Sequence, residues 1–441
     1  MLTPIWPKTA RRNANDVLEI GGVDVKRLAA ENGTPLFVID LEHLDNVIED
    51  FVDATRDLDV KVYYASKAFS QSTVLQKMVD SGFGVDVASE GELRLALLSG
   101  VPGEEIILHG NNKSVTELEL ALSNNVNRIV IDSFDEIEKL TLMCGRENTH
   151  ADVLLRLTLG IEAHTHEYIA TSHEDQKFGL SVFSGAAEEA VRKILENEFL
   201  TLRGFHYHIG SQIFEPKGFD EAALRALEFM KLLHSKYGFI TEELDIGGGF
   251  GIAYITTDDP LDIRVMVSAL VEKIRKETTN RGMPMPRIAI EPGRALIGGS
   301  TVTLYEVGVV KPIEVDGGMS RLYVSVDGGM SDNIRTALYN AEYSAMIGSR
   351  EALGNSVVSR VVGKHCESGD IVINDAILPS DIAPGDLLVV PATGAYHYSM
   401  ASNYNLVTKP AVVGVQNGEV QVLIRRQTLE ELFDLDPNLG R

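Results

Sequence analysis

Four apolar runs of this chain stop at residues with the chemistry to act. Val60-Lys61-Val62-Tyr63-Tyr64-Ala65 runs into Ser66-Lys67, and Gly204-Phe205 leads to His208-Ile209-Gly210-Ser211. Glu243–Ile246 ends in Gly247-Gly248-Gly249, and Arg287-Ile288-Ala289-Ile290 in Glu291-Pro292-Gly293-Arg294. A lysine amine attacks carbonyl groups. Glycines let backbone N–H groups approach a phosphate. A carboxylate keeps a heterocyclic nitrogen protonated, and a guanidinium pairs with anions in bidentate fashion. Taken singly, Lys67 is a solvated charge, His208 a core histidine and the glycines a tight turn. Together at strand ends they predict one site, assembled from distant segments, for an anionic and protonatable cofactor.

The elements that must position these residues alternate. Strand-like runs at Val60–Ala65, Gly84–Ala88, Glu105–His109, Arg128–Asp132, Asp152–Leu157, Gly204–His208, Glu243–Ile246 and Pro286–Ile290 are separated by helical patterns. The helical patterns cover Ser72–Ser81, Glu90–Ser99, Thr116–Asn124, Phe134–Met143, Ala186–Glu198, Asp220–Lys236 and Asp262–Arg281, with apolar residues three and four apart. Ser114-Val115-Thr116-Glu117 and Ser133-Phe134-Asp135-Glu136 carry helix-start signals. Eight strand-helix repeats predict an α/β fold, a parallel (β/α)8 barrel, with an open doubly wound sheet as the other topology of the same pattern. In such a barrel the residues at the carboxyl ends of the strands converge on one face, and Lys67, His109, Asn111, Asn112, His208, Ser211, Gly247, Glu291 and Arg294 all fall there.

From about residue 299 the pattern turns β-rich, and Gln416-Asn417-Gly418-Glu419 is a hairpin signal. The expected organisation is an N-terminal segment, 1–43, packing with the β domain; the barrel, 44–298; and an antiparallel all-β domain, 299–441. Val17–Ile20 is expected to lend that domain a strand.

Composition narrows the class. At 441 residues, 44% hydrophobic and 24% charged, the chain is expected to be globular and cytoplasmic, with no membrane span or signal segment. A net charge of −24 argues against nucleic acid as a partner. Two distant cysteines, Cys144 and Cys366, make neither a disulfide framework nor a cysteine zinc site, and no metal is expected.

Pyridoxal phosphate has the needs these residues meet: a lysine for its aldehyde, glycine N–H donors for its phosphate and a carboxylate for its pyridine nitrogen. The motifs Tyr63-Tyr64-Ala65-Ser66-Lys67, His109-Gly110-Asn111-Asn112-Lys113-Ser114, His206-Tyr207-His208-Ile209-Gly210-Ser211-Gln212, Asp245-Ile246-Gly247-Gly248-Gly249-Phe250 and Glu291-Pro292-Gly293-Arg294 resemble those of the alanine-racemase-like, type III fold pyridoxal phosphate enzymes. Within these, the chain is similar to the diaminopimelate decarboxylases over about residues 34 to 425.

The resemblance implies that Lys67 bonds the cofactor and His208 stacks on its ring. It further implies that Glu291 pairs with the ring nitrogen, and that Ser211, Gly248, Gly249, Gly293 and Arg294 line the phosphate. Arg294 also faces the substrate's far carboxylate, which Arg335 and Tyr339 of Asn333-Ile334-Arg335-Thr336-Ala337-Leu338-Tyr339 help grip. In Cys366-Glu367-Ser368-Gly369-Asp370 it makes Cys366 the proton donor and Glu367 the reader of the far ammonium. Tyr396 reaches cofactor and substrate. The implied reaction is decarboxylation of meso-diaminopimelate at its D-centre to L-lysine, in a homodimer whose Cys366 segment enters the partner subunit's site. An ornithine or arginine decarboxylase, or a non-catalytic cofactor-binding relative, is the alternative. The loop His164–Phe178 is expected to act as a lid.

Overall fold

The structure, a computed structural model, describes residues 2–161, 177–315 and 319–439. Two compact units emerge: Ile48–Gly251 with Pro260–Ala295, and Met1–Val47 with Ile252–Asp259 and Leu296–Arg441.

In the first unit, eight strands pair in parallel in chain order: Val60–Ala65, Gly84–Val87, Ile106–Leu108, Arg128–Ile131, Ala151–Thr158, Leu200–His206, Glu243–Asp245 and Arg287–Ile290. The last returns to the first, Ile288 opposite Val60, so the sheet is a closed barrel and not the open alternative. Each strand is buried along most of its length, and Tyr63, Ile107, Val130, Leu154 and Ala289 fill a common layer inside. Helices return between strands much where the periodicity put them, at Ser72–Asp80, Glu90–Leu98, Val115–Ser123, Phe134–Glu147, Ala186–Leu195, Pro216–Tyr237 and Ile263–Asn280. Ser114 and Glu117 form the reciprocal cap their spacing predicts. Ser133 caps its helix too, but Glu136 turns away to bond the Asp132 N–H at 3.1 Å and the buried Lys113 Nζ at 2.7 Å.

The second unit is built on one long strand, Thr301–Val315. Its first half pairs antiparallel with Leu36–Asp40 and Leu387–Pro391, and its second half with Met319–Val326. Asn417 and Gly418, both at positive φ, close the hairpin between Ala411–Gln416 and Glu419–Ile424. The sheet is mixed: Met319–Val326 runs parallel to Ser356–Val362, and Ala411–Gln416 parallel to Leu36–Asp40. Leu18–Ile20 joins a separate small sheet with Arg11–Arg12 and Val23–Asp24, and the opening segment's contribution to the main sheet is Leu36–Asp40 instead. All five of those residues are buried, so the run shows no alternation to read. Among the described residues no helix is long and apolar enough to cross a membrane. Of the expected lid, residues 164–176 lie outside the described residues.

Candidate active site

The carboxyl end of the barrel collects the chemistry. Lys67 stands on the single turn Ser66–Ala68 directly after the first strand, with its side chain exposed and Nζ 4.0 Å from Asp86 Oδ2. Glu291 follows the last strand and is buried between two imidazoles. His109 Nε2 lies 2.6 Å from its Oε1, and His206 Nε2 lies 3.2 Å from its Oε2. The two rings meet edge to face, 4.6 Å between centroids. His208 is half-buried, and its Nδ1 accepts the Gly248 N–H at 3.2 Å, which leaves the ring proton on Nε2. Arg294 is buried and donates from Nη2 to Ser211 Oγ at 2.9 Å.

The glycines are there because backbone passes over backbone. A Cβ on Gly248 would sit 2.2 Å from the Glu291 carbonyl oxygen; one on Gly249, at φ +113°, would sit 2.6 Å from that of Gly210. The turns after the sixth, seventh and eighth strands are thereby drawn together, with the Glu291 N–H donating to the Gly247 carbonyl at 2.9 Å.

Burial sets the charges. It raises the Asp245 carboxyl well above the usual range, a shift to which the neighbouring Glu291 charge adds, and it raises Asp86 against the opposing pull of His109. Burial also pushes His206 down to about 3, and takes His208 well below its ordinary value with the Lys67 charge adding to the shift. Glu291 is the exception. Burial favours its protonated form, yet His109 and His206 overcome this and hold it well below the carboxylate range. Within this cluster the two imidazoles therefore favour the charged form of Glu291, while burial disfavours that form at Asp245 and Asp86.

Such an arrangement fits pyridoxal phosphate. A buried, ionised carboxylate suits a protonated ring nitrogen, an exposed amine suits the aldehyde, and a hydroxyl with a guanidinium beside a cradle that admits no Cβ suits the phosphate. His109, His206 and Glu291 also present donors within 4.8 Å of one another, a grouping with metal-ligand chemistry that the sequence reading, which expects no metal, does not isolate. His109 is expected at the converging strand ends without an assigned role, and Asp86, His206 and Asp245 have none in the sequence expectations. Asp86 carried one signal, an acid inside the run Gly84-Val85-Asp86-Val87; its two oxygens have no hydrogen-bond partner among the described residues.

The remaining predicted residues belong to the second unit. Arg335 is buried, with its guanidinium 5.1 Å from the Tyr339 ring centre and 5.5 Å from that of Tyr396, and its Nε donates to Tyr343 Oη at 3.2 Å. Tyr396 is held at φ +66°, a strained conformation for a bulky residue. Cys366 and Glu367 are exposed on the loop before the strand Ile371–Pro379, whereas Cys144 is buried.

The sequence pattern of the pyridoxal-binding domain of pyridoxal-dependent decarboxylases matches residues 44–298. A diaminopimelate decarboxylase of Corynebacterium efficiens is 47% identical, over 98% of this chain and 94% of its own length. That of Bacillus subtilis is 45% identical, over 97% of each. The crystal structure of the diaminopimelate decarboxylase from M. jannaschii in complex with L-lysine superposes with a TM-score of 0.90 at 29% identity, covering 99% of this chain and 98% of that one. With strand order, cofactor chemistry and near full-length similarity in agreement, this chain belongs to the pyridoxal-dependent decarboxylases and, among them, to the diaminopimelate decarboxylases.

Proposed function

We propose that this chain removes the D-centre carboxylate of meso-diaminopimelate as carbon dioxide and releases L-lysine. The observation that carries the reading is Glu291, kept ionised between two histidines in the barrel that also presents the Lys67 amine. Bound pyridoxal phosphate supplies a sink for the electron pair that the departing carboxylate leaves behind.

The side chains divide the remaining work. Lys67 would hold the cofactor through its amine, which would also serve in release of the product. Asp86 Oδ2 stands 4.0 Å from the Lys67 amine, beside the position that amine occupies. Glu291 would keep the ring nitrogen of the cofactor protonated, and His208, its tautomer fixed by Gly248, would support the ring. Ser211, Gly248, Gly249 and Gly293, with Arg294, hold the phosphate. Arg294, Arg335, Tyr339, Glu367 and Tyr396 grip the amino acid at the substrate's far end. That end carries a carboxylate in diaminopimelate and none in ornithine or arginine. The buried Arg335 guanidinium, backed by Tyr339, Tyr343 and Tyr396, is a receptor for such a carboxylate. Cys366 returns the proton, from the partner subunit of a homodimer. Holding the substrate in one orientation is the largest contribution such a site makes.

The test is a substrate panel on the purified holoenzyme, with carbon dioxide and lysine both measured. Release from meso-diaminopimelate in excess of that from ornithine or arginine, with lysine formed in equal amount, is expected; faster release from either of the other two overturns the assignment. In Lys67→Ala, both the absorbance of the lysine-linked cofactor and nearly all turnover should vanish.

A further inference from the structure

Asp370 closes the Cys366-Glu367 loop yet has no part in the roles assigned above. Its carboxylate is buried, 3% exposed, and receives two backbone N–H groups from separate segments: Met330 donates to Oδ1 at 2.6 Å and His365 to Oδ2 at 2.7 Å. Room for it is built into the chain. A Cβ on Gly329 would stand 2.4 Å from Oδ1, and one on Gly363 2.2 Å from Oδ2, so glycine on both sides is what admits the carboxylate.

The two clamped segments are those of substrate recognition. On one side, the Glu367 N–H donates to the His365 carbonyl at 2.8 Å and the Asp370 N–H to the Glu367 carbonyl at 3.1 Å, closing a tight loop around Cys366. On the other, Gly329 donates to Asp332 Oδ2 at 2.8 Å, the Asn333 N–H to the Gly329 carbonyl at 2.8 Å, and the Arg335 N–H to Asn333 Oδ1 at 3.3 Å. A second tie runs between them, His365 Nε2 to Ser331 Oγ at 2.8 Å.

We infer that Asp370 is a positioning residue, whose carboxylate locks the loop bearing Cys366 and Glu367 to the turn that leads into Arg335, so that the loop offered to the partner subunit's site keeps a fixed place on the chain that carries it. This rests on the roles proposed above for those three residues. Hydrogen bonds to a charged acceptor are the strong kind, and two of them from different segments fix relative position in a way that one does not. An asparagine has the same shape but turns an NH2 group toward one of the two N–H donors, removing one bond without opening a hole.

The experiment compares D370N with D381N in the holoenzyme. Asp381 is the control: its side chain, partly exposed and also paired with Arg350, likewise accepts two backbone N–H groups, from Leu353 and Gly354, in the same unit but not in this loop. D370N should keep the cofactor absorbance, lower kcat/KM about tenfold, and speed hydrogen exchange in peptides covering 328–335 and 363–370. D381N should leave kcat/KM at the wild-type value whatever it does to the melting temperature. Ser331→Ala, which cuts the second tie alone, should move kcat/KM in the same direction by less, and it serves if D370N fails to fold. Wild-type kinetics in D370N, or equal losses in D370N and D381N, overturn the inference. If the wild-type enzyme prefers another amino acid, the functional assignment falls instead, and the same comparison run on that substrate still decides the part played by Asp370.

Discussion

A carboxylate sunk into a barrel ordinarily takes up a proton, and Asp245 and Asp86 are both pushed that way by burial. Glu291 stays ionised because two imidazoles face its two oxygens. Glu291→Gln keeps the shape and deletes the charge. It should leave the protein folded and the cofactor bound through Lys67 while lowering kcat about 10²-fold or more; steady-state kinetics beside the absorbance spectrum check this, and an unchanged kcat removes Glu291 from its role. The same cluster predicts acid sensitivity. His206 has a folded value of about 3 against an ordinary value of 6.5. Above pH 6.5 it is neutral folded or unfolded and its contribution is fully present. As the pH falls from there toward 3, only the unfolded chain takes the proton, and stability drains by up to about 1.4 kcal/mol per pH unit. Glu291, whose value is depressed, loses stability in the same direction at lower pH. Melting temperatures of the cofactor-free protein between pH 7 and 4 should therefore fall less steeply in His206→Gln than in the wild type, and parallel curves would refute the account. Lys67 and Glu291 were legible in the sequence because each follows an apolar run with nothing apolar to do. Asp86 and His206 sit inside such runs, where sequence does not distinguish an unpaired acid or a neutral imidazole from a satisfied one.

Turns between strand and helix carry the site, and their glycines answer to packing between elements. Gly248→Ala places a methyl group 2.2 Å from the Glu291 carbonyl oxygen, which is backbone and has no rotamer through which to yield. The turns after the seventh and eighth strands must separate, at a cost of about 3 kcal/mol, and cofactor affinity should fall with the stability. Denaturant unfolding and cofactor titration of the variant measure both, and wild-type behaviour in both would show that the turns are not packed this way. Gly248 was legible as a site residue, but the reason for its being glycine was not, because the carbonyl that excludes a side chain lies over forty residues away in sequence. The barrel strands and helices were readable to within a few residues, since period two and period 3.6 are local properties. Closure was not, for it depends on Ile288 finding Val60. Leu36–Asp40 escaped for another reason: buried along its whole length, it lacks the alternation that marks a half-exposed strand, and its partners Thr301–Leu304 and Ala411–Val415 are more than 250 residues distant.

For the whole molecule, the division of labour between two units has a kinetic consequence that a single chain does not reveal. Lys67 and Glu291 belong to the barrel unit, Cys366, Glu367 and Arg335 to the other. The proposed homodimer has each subunit's Cys366 completing the partner subunit's site, and two-fold symmetry makes such an exchange reciprocal. Two inactive variants then test it. A Lys67→Ala subunit has no amine but an intact Cys366, and a Cys366→Ala subunit the reverse. In a mixed dimer, one site receives both defects and the other receives neither, so each mixed dimer has one wild-type site. Random association makes half the dimers mixed, and co-expression of the two variants should restore about a quarter of wild-type kcat, while each variant alone stays near zero. If Cys366 serves the Lys67 of its own chain, every site in every dimer carries one defect and co-expression restores nothing. Sedimentation on the same samples separates that result from a failure to associate, because a chain that remains a monomer has no partner subunit from which to borrow.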